Sequence, residues 1–317
     1  MLHRIIETIN RFHTFLITSH VRPDGDAIGS ELAMHHILNN MGKKSLIYNE
    51  GKTPDNYYFL PGSGSIVHEL PDLAEYDVVF VLDCSDLERI GDQAARIGGM
   101  KRIINIDHHI SNGGFCELTY LDGEASSTGE LLYRLMKEMR VVPTKDVANS
   151  LYAAIITDTG GFRYRSTSRE TLCAAAGLVE AGADPQWLSE NIYENNPREK
   201  ISLLTKVLET MTFDLDGRVA SMVVNRETLA AAGALSEHTE GFVDVPRTIR
   251  GVEVSIIYLE LADDYYKLSL RSKGKTNVEQ VARRLGGGGH TNAAACMVRG
   301  KLESVKRQVI DALGSAI

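Results

Sequence analysis

The stretch from Ser19 to Ser30 places His20, Asp24 and Asp26 close together, directly after the apolar run Phe15–Ile17. One imidazole and two carboxylates brought to a single point are costly to bury unless a cation neutralises them. The spacing therefore indicates a metal site, provided that other parts of the chain supply further ligands.

Acidic and imidazole side chains also follow predicted elements elsewhere in the chain. The apolar run 77–83 predicts a buried strand that delivers Asp83, and the run 102–106 predicts another that delivers Asp107–His109. A predicted helix runs into Asp158. The candidate ligands share a position at the end of an element, and they are His20, Asp24, Asp26, Asp83, His108, His109 and Asp158.

This set of side chains suits hard divalent ions, because most of its members are carboxylates and manganese tolerates imidazole. Two ions held roughly 3.5–4 Å apart need bridging carboxylates, and together they can activate a water and neutralise a phosphate. Taken alone, Asp24-Gly25-Asp26 is also compatible with a capping turn, and His108-His109 with a packed loop. The joint occurrence of the clusters favours a two-metal site.

The elements that carry these clusters predict a parallel sheet. The order strand 77–83, helix 87–98 and strand 102–106 is typical of a βαβ unit, in which ligands bind outside the carboxyl ends of the strands. From Thr212 the pattern changes to hairpin strands, and 293–298 is compatible with either a helix or a strand.

We therefore predict an α/β protein with two domains. Residues 1–190 form a parallel-sheet catalytic domain that carries the metal site, 191–211 a helical linker, and 212–317 a smaller substrate-binding α/β domain with a mixed sheet.

Composition limits the possible partners of the chain. With 317 residues, a net charge of −8 and a pI of about 5.7, the protein lacks the basic balance expected for binding extended nucleic acid. A short phosphorylated ligand is still possible, because bound cations would invert the local field. No apolar run approaches the roughly 20 residues of a membrane span. The four separated cysteines indicate a reducing cytoplasm, with neither a disulfide framework nor a zinc site.

Two features near the C-terminus could bind phosphate. The backbone N–H groups of Gly286–His290 could cradle a phosphate, although glycine runs also serve as flexible connections. Arg271, with Ser272 beside it, could hold phosphate oxygens through its guanidinium, or could be a solvated strand end.

In this order, His20-x-x-x-Asp24-x-Asp26, Asp83, Asp107-His108-His109 and Asp158 resemble the four motifs of the DHH phosphoesterases. Arg271-Ser272 and Gly286–His290 resemble the DHH-associated domain that follows in most members. The resemblance covers essentially the whole chain, and the length is most similar to the stand-alone NrnA-type enzymes. It implies a metal-dependent hydrolase that degrades very short oligoribonucleotides and also removes a phosphate from 3′-phosphoadenosine 5′-phosphate.

The resemblance also implies roles for individual residues. One divalent ion would lie on His20, Asp24, Asp83 and Asp158, and the other on Asp26, Asp83, His108 and Asp158. His109 would face the scissile phosphate, and Asp107 would orient a histidine. The end of the substrate would be held by Arg271, Ser272, Gly287, Gly288, Gly289 and His290. One departure concerns the substrate pocket, because Ala294 and Ala295 stand near a position where the family usually has glycine.

Manganese is the expected metal, with magnesium or cobalt as alternatives. The expected substrates are short RNA or DNA oligonucleotides or nucleotide phosphates, without a membrane partner, and a homodimer is left open. The main alternative is a phosphodiesterase for cyclic dinucleotides or for linear dinucleotides such as pApA and pGpG. An inorganic pyrophosphatase, a RecJ-like exonuclease and a non-catalytic nucleotide-binding module are less favoured, the last because none of the metal ligands is missing.

Overall fold

The apolar runs of the N-terminal half form one parallel sheet in the computed structural model, which describes residues 1–274 and 276–314. The strands pair in the order β2-β1-β3-β4-β5, all parallel. Their bounds are β1 Thr14–Thr18, β2 Lys44–Ile47, β3 Val78–Leu82, β4 Ile103–Asp107 and β5 Leu118–Leu121. The first compact unit of the chain, Met1–Asn195, contains this sheet.

Helices cover the sheet of the first unit. They are α1 Leu2–Arg11, α2 Gly25–Asn40, α3 Ala94–Gly98, α4 Thr128–Glu138, α5 Lys145–Asp158, α6 Arg169–Glu180 and α7 Pro185–Tyr193. Helices α2 and α5 approach closely at Gly29, where an added Cβ would lie 2.5 Å from the carbonyl oxygen of Ser150. The buried side chains of α2, α4 and α5 form one core with those of β1, β3 and β4. This core fixes the strand ends that carry the predicted ligands.

The helix predicted at 87–98 is wrong in its extent. A 3-10 turn covers Leu87–Ile90, and only Ala94–Gly98 is α-helical. Gly91 interrupts the helix because its φ of +109° lies in the region that favours glycine. Arg89 therefore lies in the 3-10 turn and not in α3, and its guanidinium donates to the hydroxyl of Ser85, three residues after the end of β3.

Helix α2 also buries a carboxyl group that has only one polar neighbour. Glu31 is 0% exposed, and the side-chain amide of Asn49 donates to its Oε2 at 2.7 Å. Within the described part of the chain, its Oε1 has no hydrogen-bond partner. The amide oxygen of Asn49 accepts the N–H of Ser19 at 3.2 Å. Burial raises the pKa of Glu31 to about 8, although the hydrogen bond from Asn49 lowers it.

The second unit, Asn196–Ile317, is built on a mixed sheet in the order β10-β11-β9-β8-β7-β6. Among the described strands of this sheet, β7 and β8 pair in parallel and the other neighbours pair antiparallel. The strands are β6 Thr212–Asp214, β7 Val219–Val224, β8 Val254–Ala262, β9 Tyr265–Ser272, β10 Gly288–His290 and β11 Ala293–Arg299. The helices are α8 Arg198–Leu208, α9 Arg226–Ala232, α10 Asp244–Arg247, α11 Val278–Arg284 and α12 Leu302–Leu313. The predicted fold class, a parallel sheet followed by a separate mixed sheet, is confirmed.

Helix α8 lies within the segment predicted as a linker, yet it contributes to the core of the second unit. Its Leu203 and Val207 are buried against Met222 of β7 and Phe242. No helix in the described residues is both long enough and apolar enough to cross a membrane.

Candidate metal centre

The first group of candidate ligands consists of His20, Asp24 and Asp83, whose donor atoms lie within 4.8 Å of one another. His20 follows the end of β1, and its Nε2 lies 3.5 Å from Oδ2 of Asp83. Asp24 caps helix α2 by accepting the N–H groups of Asp26 and Ala27, each at 3.1 Å. Burial lowers the pKa of His20 to about 4, against the opposing charge of Asp24. A neutral imidazole is the form that binds a metal.

The second group consists of Asp26, His108 and Asp158, again with donor atoms within 4.8 Å. Nε2 of His108 lies 3.6 Å from Asp26 Oδ2 and 3.3 Å from Asp158 Oδ2. Nδ1 of His108 lies 3.2 Å from the carbonyl oxygen of Ala125, which fits an Nδ1–H donor. Nε2 is then the ring atom that can accept a metal. Asp26 lies in the first turn of α2, and Asp158 is the last residue of α5 rather than a strand end.

Asp83 lies between the two groups. Its Oδ2 faces His20, and its Oδ1 is 3.6 Å from Nε2 of His108. A carboxylate with one oxygen toward each group has the arrangement of a bridging ligand. Its donor atoms also form a third close group with His108 and His109.

The electrostatics of Asp83 fit a resident cation. Asp83 is 2% exposed, and burial, followed by the charges of Asp26 and Asp24, raises its pKa well above the ordinary value. Its φ of 53° is a left-handed conformation, which is uncommon for residues other than glycine. Divalent ions would relieve the repulsion among these carboxylates, so the residues present fit the metal that the family resemblance implies.

His109 is held by a chain of buried polar groups. Its Nδ1 lies 2.7 Å from Oδ1 of Asp107, which is 0% exposed. The amide of Asn112 donates to Oδ2 of Asp107 at 2.6 Å and to the amide oxygen of Asn105 at 2.9 Å. This chain of hydrogen bonds fits an Nδ1–H donor on His109 and holds the ring in one orientation.

The start of helix α4 contributes residues to the site that the sequence analysis missed. The backbone N–H groups of Thr128 and Gly129 donate to the two carboxylate oxygens of Asp26 at 2.6 and 2.9 Å. The hydroxyl of Thr128 donates to Oδ1 of Asp83 at 3.1 Å. The sequence did signal this helix start, because the serine and threonine before Glu130 are typical N-cap residues. The sequence did not show that this helix start faces the carboxylates.

The residues predicted to bind substrate lie in the second unit. Arg271 is half-buried in β9 opposite Ser255 and Ala293, and its Nη1 donates to the carbonyl of Leu270 at 3.1 Å. Ser272 is 3% exposed, and its hydroxyl donates to the carbonyl of Thr276 at 2.6 Å and accepts from Asn292 at 2.8 Å.

The glycine run forms a turn and the edge strand β10. An added Cβ at Gly287 would lie 2.1 Å from the carbonyl oxygen of Ala295, whereas at Gly288 it would meet open space. At Gly289, where φ is +144°, it would lie 2.4 Å from the carbonyl oxygen of Ala293. The side chain of His290 lies outside the described part. Close packing against β11 thus explains two of these glycines without a ligand.

Comparison with known proteins agrees with this fold and these motifs. Residues 14–155 match the N-terminal domain of the DHH family, and residues 216–317 match the DHHA1 domain. The chain belongs to the DHH family.

Curated relatives extend over almost the whole chain. A bifunctional oligoribonuclease and PAP phosphatase NrnA from Thermus thermophilus is 31% identical, over 94% of this chain and 88% of that protein. The protein of the same description from Bacillus subtilis is 28% identical, over 94% of this chain and 93% of that protein. The crystal structure of an exopolyphosphatase-related protein from Bacteroides fragilis superposes with a TM-score of 0.92 at 31% identity, covering 99% of this chain and 95% of the other.

Proposed function

We propose that this chain is a metal-dependent phosphodiesterase that hydrolyses very short oligonucleotides and also removes a phosphate from 3′-phosphoadenosine 5′-phosphate. The observation that carries the proposal is the position of Asp83, with one carboxylate oxygen toward each of two ligand groups. The relatives described as bifunctional oligoribonuclease and PAP phosphatase support the choice of substrates.

The two ligand groups would hold two divalent cations. Manganese is the first choice, with magnesium or cobalt as alternatives. His20 and Asp24 would bind one ion, Asp26, His108 and Asp158 the other, and Asp83 would be shared. Asp158 is further proposed to share the first ion, as the family motifs imply. When bound, such a pair supplies an activated water and neutralises the charge of the phosphate.

The residues around the two ligand groups would position the reacting atoms. His109, with its Nδ1 proton held by Asp107, would present Nε2 to the scissile phosphate or its leaving oxygen. Thr128 and Gly129 would keep Asp26 in one orientation through their N–H groups. A carboxylate fixed in this way costs little reorganisation when a ligand binds.

We further propose that 1–190 acts as the catalytic domain, 191–211 as a connector and 212–317 as the substrate-binding domain. In the substrate-binding domain, the end of a short substrate would be bound by Arg271, Ser272 and Gly287–His290. Because the hydroxyl of Ser272 already makes two internal hydrogen bonds, its role there would be to support its neighbours. The enzyme would act in the cytoplasm on soluble substrates, alone or as a homodimer.

A substrate panel tests the function. Purified protein with manganese would be given labelled dinucleotides, longer RNA, 3′-phosphoadenosine 5′-phosphate, cyclic dinucleotides and pyrophosphate, with Asp83→Ala as the control. We expect turnover of the dinucleotides and the bisphosphate, and at least a 10³-fold loss in the variant. An intact dinucleotide with both proteins would refute the proposal. If the protein turned over cyclic dinucleotides or pyrophosphate faster than linear dinucleotides, the proposed substrate class would be wrong and the preferred substrate would take its place.

A further inference from the structure

Arg89 lies beside the metal-ligand groups, at a position that the sequence analysis did not select. Its carbonyl oxygen accepts the N–H of Val21, the residue after His20, at 2.8 Å. Its Nη1 donates to the hydroxyl of Ser85 at 3.2 Å, and Ser85 follows Asp83 by two positions. The backbone and the guanidinium of Arg89 are thus each tied to a segment that carries a candidate ligand.

The charge of Arg89 reaches the first ligand group. It acts with burial, and against Asp24, to lower the pKa of His20. Burial acts to raise the pKa of Asp24, but the charge of His20 and, to a smaller extent, that of Arg89 lower it. Both effects agree with the contacts of Arg89 to Val21 and Ser85, and these two contacts place Arg89 beside the first ligand group.

In the described part of the chain, no carboxylate lies within ion-pair distance of the guanidinium of Arg89, as is also the case for the half-buried Arg218 and Arg271. Arg134, by contrast, contacts both Glu130 and Asp122, and Arg226 contacts Asp263 at 2.7 Å. A half-buried guanidinium is usually paired, since its donors lose water on burial. Only part of its five-donor fork is used, by the hydroxyl of Ser85.

We propose that Arg89, with Ser85, forms a phosphate-binding subsite on the catalytic unit beside His20 and Asp24. The proposal rests on the proposed function, because it names a residue that would hold the substrate phosphate there. A guanidinium presents parallel N–H groups that match two phosphate oxygens, and a hydroxyl can donate to a third. The neighbouring carboxylates would repel the phosphate. The guanidinium of Arg89 would offset this repulsion, so that the affinity for the phosphate would not depend on bound metal alone.

A different role for the same charge would be to offset the carboxylates of the metal site. The two roles predict different effects of removing Arg89. A charge that only offsets the carboxylates would alter manganese affinity and leave nucleotide affinity unchanged. A phosphate contact would alter the affinity for a phosphorylated nucleotide and spare the same nucleoside without its phosphate.

The test uses Arg89→Met and Arg89→Lys, with Arg96→Met as the matched control, because Arg96 is exposed and its guanidinium donates to Gln93 at 3.0 Å. Calorimetry on the manganese-loaded protein gives the Kd of adenosine 5′-monophosphate and of adenosine, and a separate titration gives the Kd of manganese. We expect Arg89→Met to weaken monophosphate binding about 10- to 100-fold. Arg89→Lys should recover part of this loss, while the affinity for adenosine and all affinities of the control change less than twofold. Manganese affinity should not fall in Arg89→Met, because the variant loses a positive charge that repels the cation.

Kinetics with a dinucleotide add a second readout. Arg89→Met should raise KM about as much as the Kd of the monophosphate, with a smaller change in kcat. Equal monophosphate affinity in wild type and Arg89→Met, or a loss of manganese affinity as large as the loss of monophosphate affinity, would overturn the subsite. So would a wild-type protein that fails to bind the monophosphate. A protein that binds it through Arg89 but cleaves no dinucleotide would refute the proposed function and leave the subsite standing.

Discussion

Replacing the buried carboxyl of Glu31 by an amide is expected to make the first unit more stable relative to wild type as pH rises. In the unfolded chain the carboxyl ionises near its ordinary pKa of 4.5, whereas in the folded unit burial raises the pKa to about 8. Between these values the unfolded chain binds fewer protons, so stability falls as pH rises and the loss is complete above pH 8. At about 1.4 kcal/mol per pH unit, the full loss is about 5 kcal/mol as an upper bound.

Glu31→Gln removes this dependence. The amide oxygen of the glutamine can still accept from Asn49, but its N–H donors are buried without acceptors. This costs about 1–3 kcal/mol of stability, which does not vary with pH. We therefore compare pH 5 with pH 8, where the stability of the variant relative to wild type should increase by about 3 kcal/mol. The comparison cancels the fixed cost of the amide.

Urea unfolding followed by tryptophan fluorescence measures this effect. Trp187 is the only tryptophan of the chain, and it packs edge-on against Phe59 in the first unit, with ring centroids 4.9 Å apart. Glu130→Gln is the matched control, because Glu130 is also 0% exposed but its pKa is lowered. Burial alone would raise the pKa of Glu130, but hydrogen bonds from Ser126 and Thr171 and the charge of Arg134 together outweigh burial.

The control variant should lose about 1.5–3 kcal/mol of stability at both pH values, since it removes the charge from a part-buried hydrogen-bonded pair with Arg134. If Glu31→Gln shows the same difference from wild type at pH 5 and pH 8, the carboxyl is already ionised in the folded unit. The argument from its burial would then be wrong.

Three further substitutions test the contacts around the metal site and the packing beneath it. Thr128→Val removes a hydroxyl donor to the shared carboxylate and should weaken manganese binding about tenfold in calorimetry; unchanged affinity would remove the hydroxyl from the site. Asn112→Leu should lower kcat about 10- to 100-fold with manganese affinity retained, because the support of His109 is lost, and an unaltered kcat would contradict that role. Gly29→Ala should cost about 1–3 kcal/mol in urea unfolding, whereas Gly64→Ala, which meets open space, should change stability little; equal effects would refute the close helix packing.

Much of the candidate metal centre could be predicted because several of its candidate ligands lie at the ends of parallel strands. Apolar runs locate such strands, and all their carboxyl ends meet at one edge of the sheet, so Asp83 and His108 were expected near each other. Asp158 was found for a weaker reason, since it ends a helix and its place depends on how α5 packs. The division of the ligands between two groups came from the family resemblance and not from spacing.

The parts that the sequence did not predict depend on packing between distant segments. Thr128 reaches Asp26 and Asp83 because α4 and α2, which are distant in sequence, share one core. Arg89 remained hidden because the pattern of 87–98 favours a continuous helix, whereas Gly91 breaks it. The glycine run near the C-terminus suggested a phosphate loop because sequence alone cannot show that Gly287 touches the neighbouring strand.

The left-handed backbone of Asp83 implies that the stability of the metal-free protein and its activity with metal place opposite demands on this position. Without metal, this position combines a strained φ with a carboxylate that its neighbours repel, so Asp83→Gly should make the metal-free protein harder to unfold, by about 1–3 kcal/mol from the backbone alone. With metal, the ranking should reverse, because the wild type gains the binding free energy that the variant has lost. Selection for heat resistance in a chelating buffer would therefore enrich inactive variants that lack the Asp83 carboxylate. The same selection in the presence of manganese would favour the wild type over these variants.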